Sequence, residues 1–441
     1  MEIDFNPTEY LLQSVKTGQQ FSDKGWTLDA PDENSPTLIR TVYEEVQINV
    51  EHESMGIFRF ADWLPVQRFL KGSSAPITYK SAGLANHLGL ENLYITFSGY
   101  WPEKGANMRT CSFKETEAFA VGGRLSPDHK GVLVVASAGN TARAFARVCS
   151  DNNIPLLLCV PEDNLDALWF DEPVLPHVRL ISTRSGSDYF DAIALSNQAC
   201  SFPGFFPEGG AKNVARRDGM GTTVLSAAHF IGRIPDYYFQ AIGSGTGAIA
   251  AWEANDRLIV DGRFGTHKMK LMVSQNAPFL PIHDAWKAGS RDMLPLDDDL
   301  ARQQVEEILG KVLSNRKPPY PIAGGLYDAL QDAGGDVIAV TNDEISSAAS
   351  LFEELEGNDI YHAAAAAVAS LIKEVEAGSI PKASIVMLNI TGGGEKRFMK
   401  EKKVTYLQPD HVFDINPSDL ELKTVLSKLF KSKIKQASVV E

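Results

Sequence analysis

The sequence predicts an α/β fold of two domains, each a mainly parallel sheet flanked by helices. Short apolar, β-branched runs alternate with longer segments of helical pattern along most of the chain. The chain has 441 residues and 44% hydrophobic content, enough to bury a large core in two domains. Glycine-containing turns follow several of the strands, and in parallel sheets ligands bind at that edge.

The first half of the chain is predicted to begin with a helix-like entry after residue 58. Strands are then expected at 92–97, 131–136, 155–160 and 178–181, with helices at 141–148 and 188–199. In the second half, strands are expected at 236–242, 268–273, 336–340 and 384–390, with helices at 299–314, 343–356 and 362–376. We expect residues 106–220 to form a small mobile domain inserted into a large domain of residues 1–105 and 221–441.

Composition narrows the class of protein. The net charge of −14 and the pI of about 5.2 argue against a nucleic-acid partner. The four cysteines show no CxxC spacing, which favours a reducing, cytoplasmic compartment. Neither a signal peptide nor an apolar run of about 18 residues is evident, so no membrane partner is expected. No histidine or cysteine pattern predicts a metal site.

The first candidate site motif is the lysine in Thr-Cys-Ser-Phe-Lys-Glu-Thr-Glu-Ala, Lys114. Downstream, the strand at 131–136 ends in the turn Ser137, Ala138, Gly139, Asn140, Thr141, where a helix begins. Backbone N–H groups at a helix start form a seat for an anion. A reactive amine beside an anion seat suits a Schiff-base cofactor enzyme that acts on amino acids.

Two further loops follow later strands. Gly243, Ser244, Gly245, Thr246 and Gly247 come after the strand at 236–242, and the glycines and hydroxyls suit a phosphate group. The spacing also matches a dinucleotide loop, but the acidic partner for a ribose is not evident, and no Gly-Lys-Ser/Thr follows as in a P-loop. The strand at 384–390 runs into Thr391 and three glycines.

Four motifs occur in this order: the Lys114 segment, the turn at 137–141, the glycine loop at 243–247 and the loop that begins at Thr391. Together they resemble the fold-type II pyridoxal-phosphate (PLP) enzymes, which have the tryptophan synthase β-like fold, and within them the threonine synthase group. Segments 58–65, 88–94 and 363–371 also resemble that group, so the likeness covers roughly residues 25–395. Relatives often carry a cysteine-rich knuckle near the N-terminus, but residues 25–32 contain no cysteine.

The resemblance implies a role for each motif. Lys114 is expected to hold pyridoxal 5'-phosphate as a Schiff base and to act as the catalytic base, and residues 243–247 to bind the cofactor's phosphate. Asn140 is expected to contact the ring's 3-oxygen and Thr391 the ring nitrogen. Residues 137–141 are expected to receive the substrate's α-carboxylate.

Two departures from threonine synthase point to a different reaction. Threonine synthases usually show Gly-Ser-Phe-Lys-Asp-Arg-Gly at the lysine and Thr-Gly-x-Gly-Leu-Lys at the C-terminal loop; this chain has Cys-Ser-Phe-Lys-Glu-Thr-Glu and Thr-Gly-Gly-Gly-Glu-Lys-Arg. The pattern resembles the cysteate-forming relatives, which exchange the phosphate of O-phospho-L-serine for sulfite. Lys104, Arg109 and Arg143 are the cations expected to meet these anions.

Two alternatives stay open at this point. One is a threonine synthase that converts O-phosphohomoserine and water to threonine and phosphate. The other is a PLP-binding protein without turnover, although such a protein is expected to lack Lys114 or Asn140, and both are present. A homo-oligomer is also left open.

Overall fold

The structure, a computed structural model, describes residues 7–31, 36–50, 53–137 and 139–431. Its strands in the first half are β1 Tyr10–Ser14, β2 Gln20–Phe21, β3 Ile39–Tyr43, β4 Ile77–Lys80, β5 Asn92–Phe97, β6 Tyr100–Trp101, β7 Ala106–Asn107, β8 Val132–Ala136, β9 Leu156–Pro161, β10 Trp169–Phe170, β11 Val178–Thr183 and β12 Phe205–Pro207. Those in the second half are β13 Tyr237–Ala241, β14 Lys270–Asn276, β15 Asp336–Val340, β16 Ile385–Ile390, β17 Thr405–Tyr406 and β18 His411–Phe413.

The α-helices alternate with these strands. In the first half they are α1 Gly83–Leu88, α2 Lys114–Arg124, α3 Asn140–Asp151, α4 Tyr189–Cys200 and α5 Val214–Ile231. In the second half they are α6 Thr246–Asp261, α7 Pro281–Lys287, α8 Asp298–Glu307, α9 Leu326–Ala333, α10 Asn342–Glu356, α11 His362–Glu376, α12 Glu395–Glu401 and α13 Asp419–Leu429.

The larger sheet has the strand order β15-β14-β13-β16-β5-β4. Its strands are parallel except for the edge strand β4, which runs antiparallel to β5. Successive residues of one strand enter different cores: Tyr238 packs with α5, α6 and α9, whereas Phe239 packs with α10 and α11. Both faces of the sheet are therefore covered by helices, which explains the continuous apolar runs in its strands.

The second sheet has the order β12-β8-β9-β11-β18 and is parallel throughout. Leu156 and Leu158 of β9 face one core, and Leu157 and Cys159 face the other. The two parallel sheets, covered by helices, confirm the predicted fold class.

The C-terminal segment departs from the predicted domain boundary, which assigned residues 221–441 to the large domain. Strand β18 pairs with β11, and Leu422 and Leu426 of α13 pack against Leu195 of α4 in the second sheet's core. The parallel edge of β11 is thereby covered by a strand from the far end of the chain. The rest of the predicted division, and the mobility of residues 106–220, stay predictions.

Two other local predictions differ from the structure. For residues 1–50 the sequence analysis predicts no element, and in the structure β1 pairs with β2 and β3 in an antiparallel sheet whose Leu12 and Ile39 pack on Val214. The helix expected at 299–314 ends at Glu307. Beyond it the chain extends, because the backbone N–H of Gly310 donates to Asn276 Oδ1 at 2.9 Å.

Candidate active site

A cleft of about 120 Å³ lies where the ends of strands from both parallel sheets meet. It is lined by α2 and α3 from the second sheet's side and by the loop before α6 from the larger sheet's side. Segment 312–315, which follows the shortened α8, forms a further part of the wall. Among the predicted site residues, it is lined by Lys114, Ser137, Gly139, Asn140, Thr141, Gly243, Ser244, Gly245, Thr246, Gly247 and Thr391. Ala138 lies outside the described residues.

Lys114 is the first residue of α2, and its side chain is 20% exposed toward the cleft. Its Nζ lies 3.2 Å from Oε2 of Glu117, one turn along the same helix, and 4.8 Å from the centroid of the Phe113 ring. Burial lowers the pKa of the Lys114 amine below its usual value, and the Glu117 carboxylate opposes this shift. The amine is thus easier to deprotonate than a surface lysine, as a nucleophile or base requires.

The loop at residues 243–247 wraps the start of α6. Gly245 adopts φ 80°, and a Cβ placed there would lie 2.6 Å from Cδ2 of Leu326, so both the conformation and the space favour glycine. The hydroxyls of Ser244 and Thr246 are 2.8 Å apart. Hydroxyls and the first amides of a helix converge here, as in an anion-binding loop.

The start of α3 forms the second polar wall. The Ser137 hydroxyl accepts hydrogen bonds from the backbone N–H groups of Gly139 and Ala142, each at 3.0 Å. Gly139, with φ 146° and ψ −91°, makes the sharp turn into the helix. One amide of the predicted carboxylate seat, that of Gly139, is therefore already paired with Ser137, and Asn140 and Thr141 line the cleft beside it.

Arg143 does not line the cleft but fixes residues that do. Its Nη2 donates to Oδ1 of Asn140 at 3.1 Å and to the Tyr361 hydroxyl at 2.9 Å, and its guanidinium stacks on Trp169 at 4.1 Å. Because Oδ1 of Asn140 accepts from Arg143, the amide nitrogen of Asn140 is the end available to a ligand. The structure therefore places Arg143 behind Asn140 rather than in contact with substrate space.

The C-terminal glycine loop is joined to the lysine segment by backbone hydrogen bonds. The N–H of Phe113 donates to the carbonyl of Thr391 at 2.9 Å, and the N–H of Gly393 donates to the carbonyl of Cys111 at 3.0 Å. The Cys111 side chain is fully buried, and burial raises the pKa of its thiol well above the usual value. Cys111 is thus a packing residue, and Thr391 is held beside Lys114.

The two cations expected on the loop before Lys114 lie elsewhere. Arg109 contacts Asp151, Asp171 and Glu172 at 3.1, 2.7 and 3.0 Å, respectively. Lys104 stacks on Tyr79 and Trp101, with Nζ at 4.1 and 4.8 Å from their rings. Neither is among the described residues that line the cleft.

A different cation, Arg216 of α5, lines the cleft and was missed by the sequence analysis. Its Nε lies 3.2 Å from Oε2 of Glu117 and its Nη1 2.6 Å from Oε2 of Glu208. Burial alone would lower the pKa of Arg216, but the two carboxylates raise it above its ordinary value, so the guanidinium stays charged. Arg216 and Lys114 are thus held by the same carboxylate.

The residues present fit the cofactor that the sequence suggested. A partly buried amine, an anion-binding loop, a donor amide and a hydroxyl meet in one cleft, and these groups match an aldehyde, a phosphate, a phenolic oxygen and a pyridine nitrogen. In the described part of the chain, no group of three or more His, Cys, Asp or Glu residues is arranged to hold a metal ion. Within the same residues, no helix is long and apolar enough to cross a membrane.

Comparison with known proteins agrees with this chemistry. Residues 98–392 match the family described as "Pyridoxal-phosphate dependent enzyme". Cysteate synthase of Methanosarcina acetivorans is 47% identical over 402 residues, covering 91% of this chain and 96% of the relative. Cysteate synthase of Methanoculleus marisnigri is 50% identical over 390 residues, covering 88% and 89%.

Solved structures share the fold. Maize serine racemase superposes with a TM-score of 0.53 at 15% identity, covering 74% of this chain and 91% of that one. The processed form of threonine deaminase isoform 2 from Solanum lycopersicum gives 0.52 at 17%, covering 74% and 86%. These identities are too low to carry more than the fold.

Proposed function

The chain belongs to the pyridoxal-phosphate dependent enzyme family, and from that premise we propose that it converts O-phospho-L-serine and sulfite to L-cysteate and phosphate. The observation that carries this proposal is its near-full-length identity, close to one half, to cysteate synthases. The cleft supports it with a reactive amine and a charged guanidinium held side by side.

Pyridoxal 5'-phosphate, when bound, withdraws the negative charge that develops at Cα of an amino-acid substrate. Lys114 is the residue proposed to hold it covalently, residues 243–247 to bind its phosphate, Asn140 to donate to its 3-oxygen, and Thr391 to contact the ring nitrogen. A threonine hydroxyl is too weak an acid to keep that nitrogen protonated, as a carboxylic acid would. By resemblance to the family, a hydroxyl at this place favours elimination and replacement at Cβ over transamination.

The amino-acid substrate is proposed to be oriented by the start of α3. Asn140 and Thr141 face the cleft, and the positive end of the α3 dipole favours a carboxylate there. Ser137 contributes indirectly, because its hydroxyl fixes the amides of Gly139 and Ala142 and thereby shapes the turn.

Lys114 is proposed to move the Cα proton. Its free amine would remove the proton from Cα of the substrate, and after replacement at Cβ it would return the proton to the same atom. Its lowered pKa increases the share of neutral amine near neutral pH, which a general base requires. In the balance of the reaction, the Cβ–O bond to phosphate breaks and a Cβ–S bond to sulfite forms, with no net oxidation or proton loss at Cα.

Both the departing and the entering group are anions, and Arg216 is the cleft cation proposed to face them. A guanidinium presents several N–H donors in one plane, which suits the oxygens of phosphate and sulfite. Its Nη1 donates a hydrogen bond to Glu208, and its Nε lies 3.2 Å from Glu117 as an ion pair without a hydrogen bond, so two carboxylates orient the guanidinium before a ligand arrives.

A product assay tests the proposal. The purified chain with PLP is incubated with phosphoserine or phosphohomoserine, each with and without sulfite, and phosphate, cysteate and threonine are measured. We expect cysteate and phosphate in equal amounts from phosphoserine plus sulfite only. Rapid formation of threonine from phosphohomoserine, unaffected by sulfite, would instead identify a threonine synthase.

We also propose a cytoplasmic location, supported by four cysteines without disulfide-like spacing. A homo-oligomeric state stays a prediction.

A further inference from the structure

Beside the cleft lies a buried carboxylate, Glu117, to which the proposed reaction assigns no role. Glu117 lies on α2 with a fully buried side chain, three residues after Lys114 and therefore on the same helical face. Its Oε2 contacts both Lys114 Nζ and Arg216 Nε, each at 3.2 Å. Among the described residues, its Oε1 is buried without a hydrogen-bond partner, and so is Arg216 Nε, so Glu117 holds Lys114 by a hydrogen bond and Arg216 by an ion pair alone.

A buried carboxylate oxygen that accepts no hydrogen bond destabilises the folded protein, because it has lost its water without gaining another donor. Its remaining oxygen is available to a donor that enters or moves in the cleft. The Lys114 amine is such a donor, because it changes between a covalently engaged and a free state in a Schiff-base enzyme. The other charged or titratable groups around the cluster are Arg216 of α5, Glu208 in the loop between β12 and α5, and Tyr189 at the start of α4.

We propose that Glu117 is a positioning residue that holds the free Lys114 amine and the Arg216 guanidinium at a fixed separation in the cleft. One side chain then sets the place of the group that moves the Cα proton and of the group that faces the anions. The role assigned to these two cations rests on the proposed function. Threonine synthases, which this chain resembles, usually have glycine at the corresponding place in the lysine motif and lack this carboxylate.

The charge of Glu117 should be visible in the titration of Lys114. The carboxylate stabilises the ammonium form, against the burial and the Arg216 charge that destabilise it. Glu117→Gln keeps the size of the side chain but removes the charge. The pKa of the Lys114 amine should then fall further below its ordinary value.

The test is the rate of Lys114 acylation by acetic anhydride as a function of pH, measured by mass spectrometry on the full-length protein. For Glu117→Gln we expect the midpoint to shift to lower pH by about one unit or more. Glu117→Asp, which keeps the charge, should shift it less. Glu115→Gln is the matched control, because Glu115 is a buried carboxylate of the same helix that bonds Thr110 instead of Lys114; it should leave the midpoint in place.

The results separate the inference from the proposed function. A midpoint unchanged in Glu117→Gln, or shifted equally in Glu115→Gln, would overturn the role of Glu117. Should Glu117→Gln not fold, Glu117→Asp takes its place, because the shorter side chain keeps the charge but cannot hold both cations at the same separation; turnover equal to that of the unmodified chain in this variant would overturn the positioning role. Adding PLP should protect Lys114 from acylation; a lack of protection would contradict the cofactor site but not the effect of Glu117 on the amine.

Discussion

Arg109 and Arg216 are both guanidinium groups held by carboxylates, yet only Arg216 lines the cleft. Arg109 precedes Lys114 by five residues, but Asp151, Asp171 and Glu172 bind it on the far side of the loop. Arg216 lies about a hundred residues away in sequence, and α5 brings it to Glu117. The difference shows that helix packing decides whether a cation reaches the cleft, and that carboxylates distant in sequence can bind a cation that is close to the lysine in sequence.

The largest loss of turnover is expected for Lys114→Ala, and the effects of changing the two arginines are compared with it. Without the amine, the covalent link to the cofactor and the Cα base are both lost. Turnover of phosphoserine with sulfite should fall by at least about 10²–10⁴-fold, and the visible band of the bound cofactor should disappear. Absorbance and product formation are measured on the same sample, and retention of the unmodified chain's rate would make the lysine a bystander.

Arg216→Gln should give the next largest effect. Removing a preorganised donor that faces the reacting anions should lower kcat/KM for phosphoserine and sulfite by about 10²-fold or more. Because the change also leaves Glu117 and Glu208 with less compensation, Arg216→Lys serves as the companion variant that keeps the charge. It should retain more activity than Arg216→Gln, and equal loss in both would point to the planar fork rather than the charge.

Arg109→Gln tests whether the arginine outside the cleft affects stability rather than activity. Its guanidinium links three carboxylates away from the cleft, so its loss should reduce the free energy of unfolding by about 1–3 kcal/mol. The kcat/KM should stay within about threefold of the unmodified chain's value, a difference below about 1 kcal/mol. Denaturant unfolding and steady-state kinetics measure the two effects, and a loss of activity as large as that of Arg216→Gln would erase the distinction between the two arginines.

A smaller, pH-dependent effect is expected at Glu115, beside the Arg109 cluster. Burial raises the pKa of its carboxyl to about 7, and the hydrogen bonds from Thr110 only partly oppose this. Since the folded protein favours the neutral acid, its contribution to stability is complete below the unfolded pKa and is lost as the pH rises through about 7.

Glu115→Gln should therefore make the apparent melting temperature less dependent on pH between pH 5 and pH 8. Relative to the unmodified chain, the melting temperature of the variant should rise more at pH 8 than at pH 5. Thermal unfolding at the two pH values, compared with the unmodified chain, is the measurement. An identical slope in both proteins would show that this carboxyl does not titrate in that range.

The sequence predicted those parts of the site that are contiguous with a strand end. The strand that ends at Ala136 and the turn to Asn140 carry a local pattern, as does the glycine loop before α6. Strands β13 and β16 can likewise be recognised in the sequence, because each is a short run of mostly apolar residues rich in aromatic or β-branched side chains.

What the sequence did not reveal depends on long-range packing. Helix α5 is buried on nearly all sides, so it lacks the one-sided apolar stripe that identifies a helix from sequence. Its one available signal was the run Arg216, Arg217, Asp218 inside a stretch of small and apolar residues, where charges are expected only if paired. The diversion of the chain after α8 by Asn276, and the return of β18 to the second sheet, also require partners distant in sequence.

In the proposed reaction, this cleft replaces the phosphate of phosphoserine by the sulfur of sulfite. Sulfite labelled with a heavy sulfur isotope, supplied with phosphoserine and PLP to the purified chain, tests it most directly, with cysteate followed by mass spectrometry. We predict heavy-sulfur cysteate in an amount equal to the phosphate released, and none from Lys114→Ala. The account would be contradicted if phosphate were released at the same rate with and without sulfite and if the product formed in the presence of labelled sulfite contained no heavy sulfur.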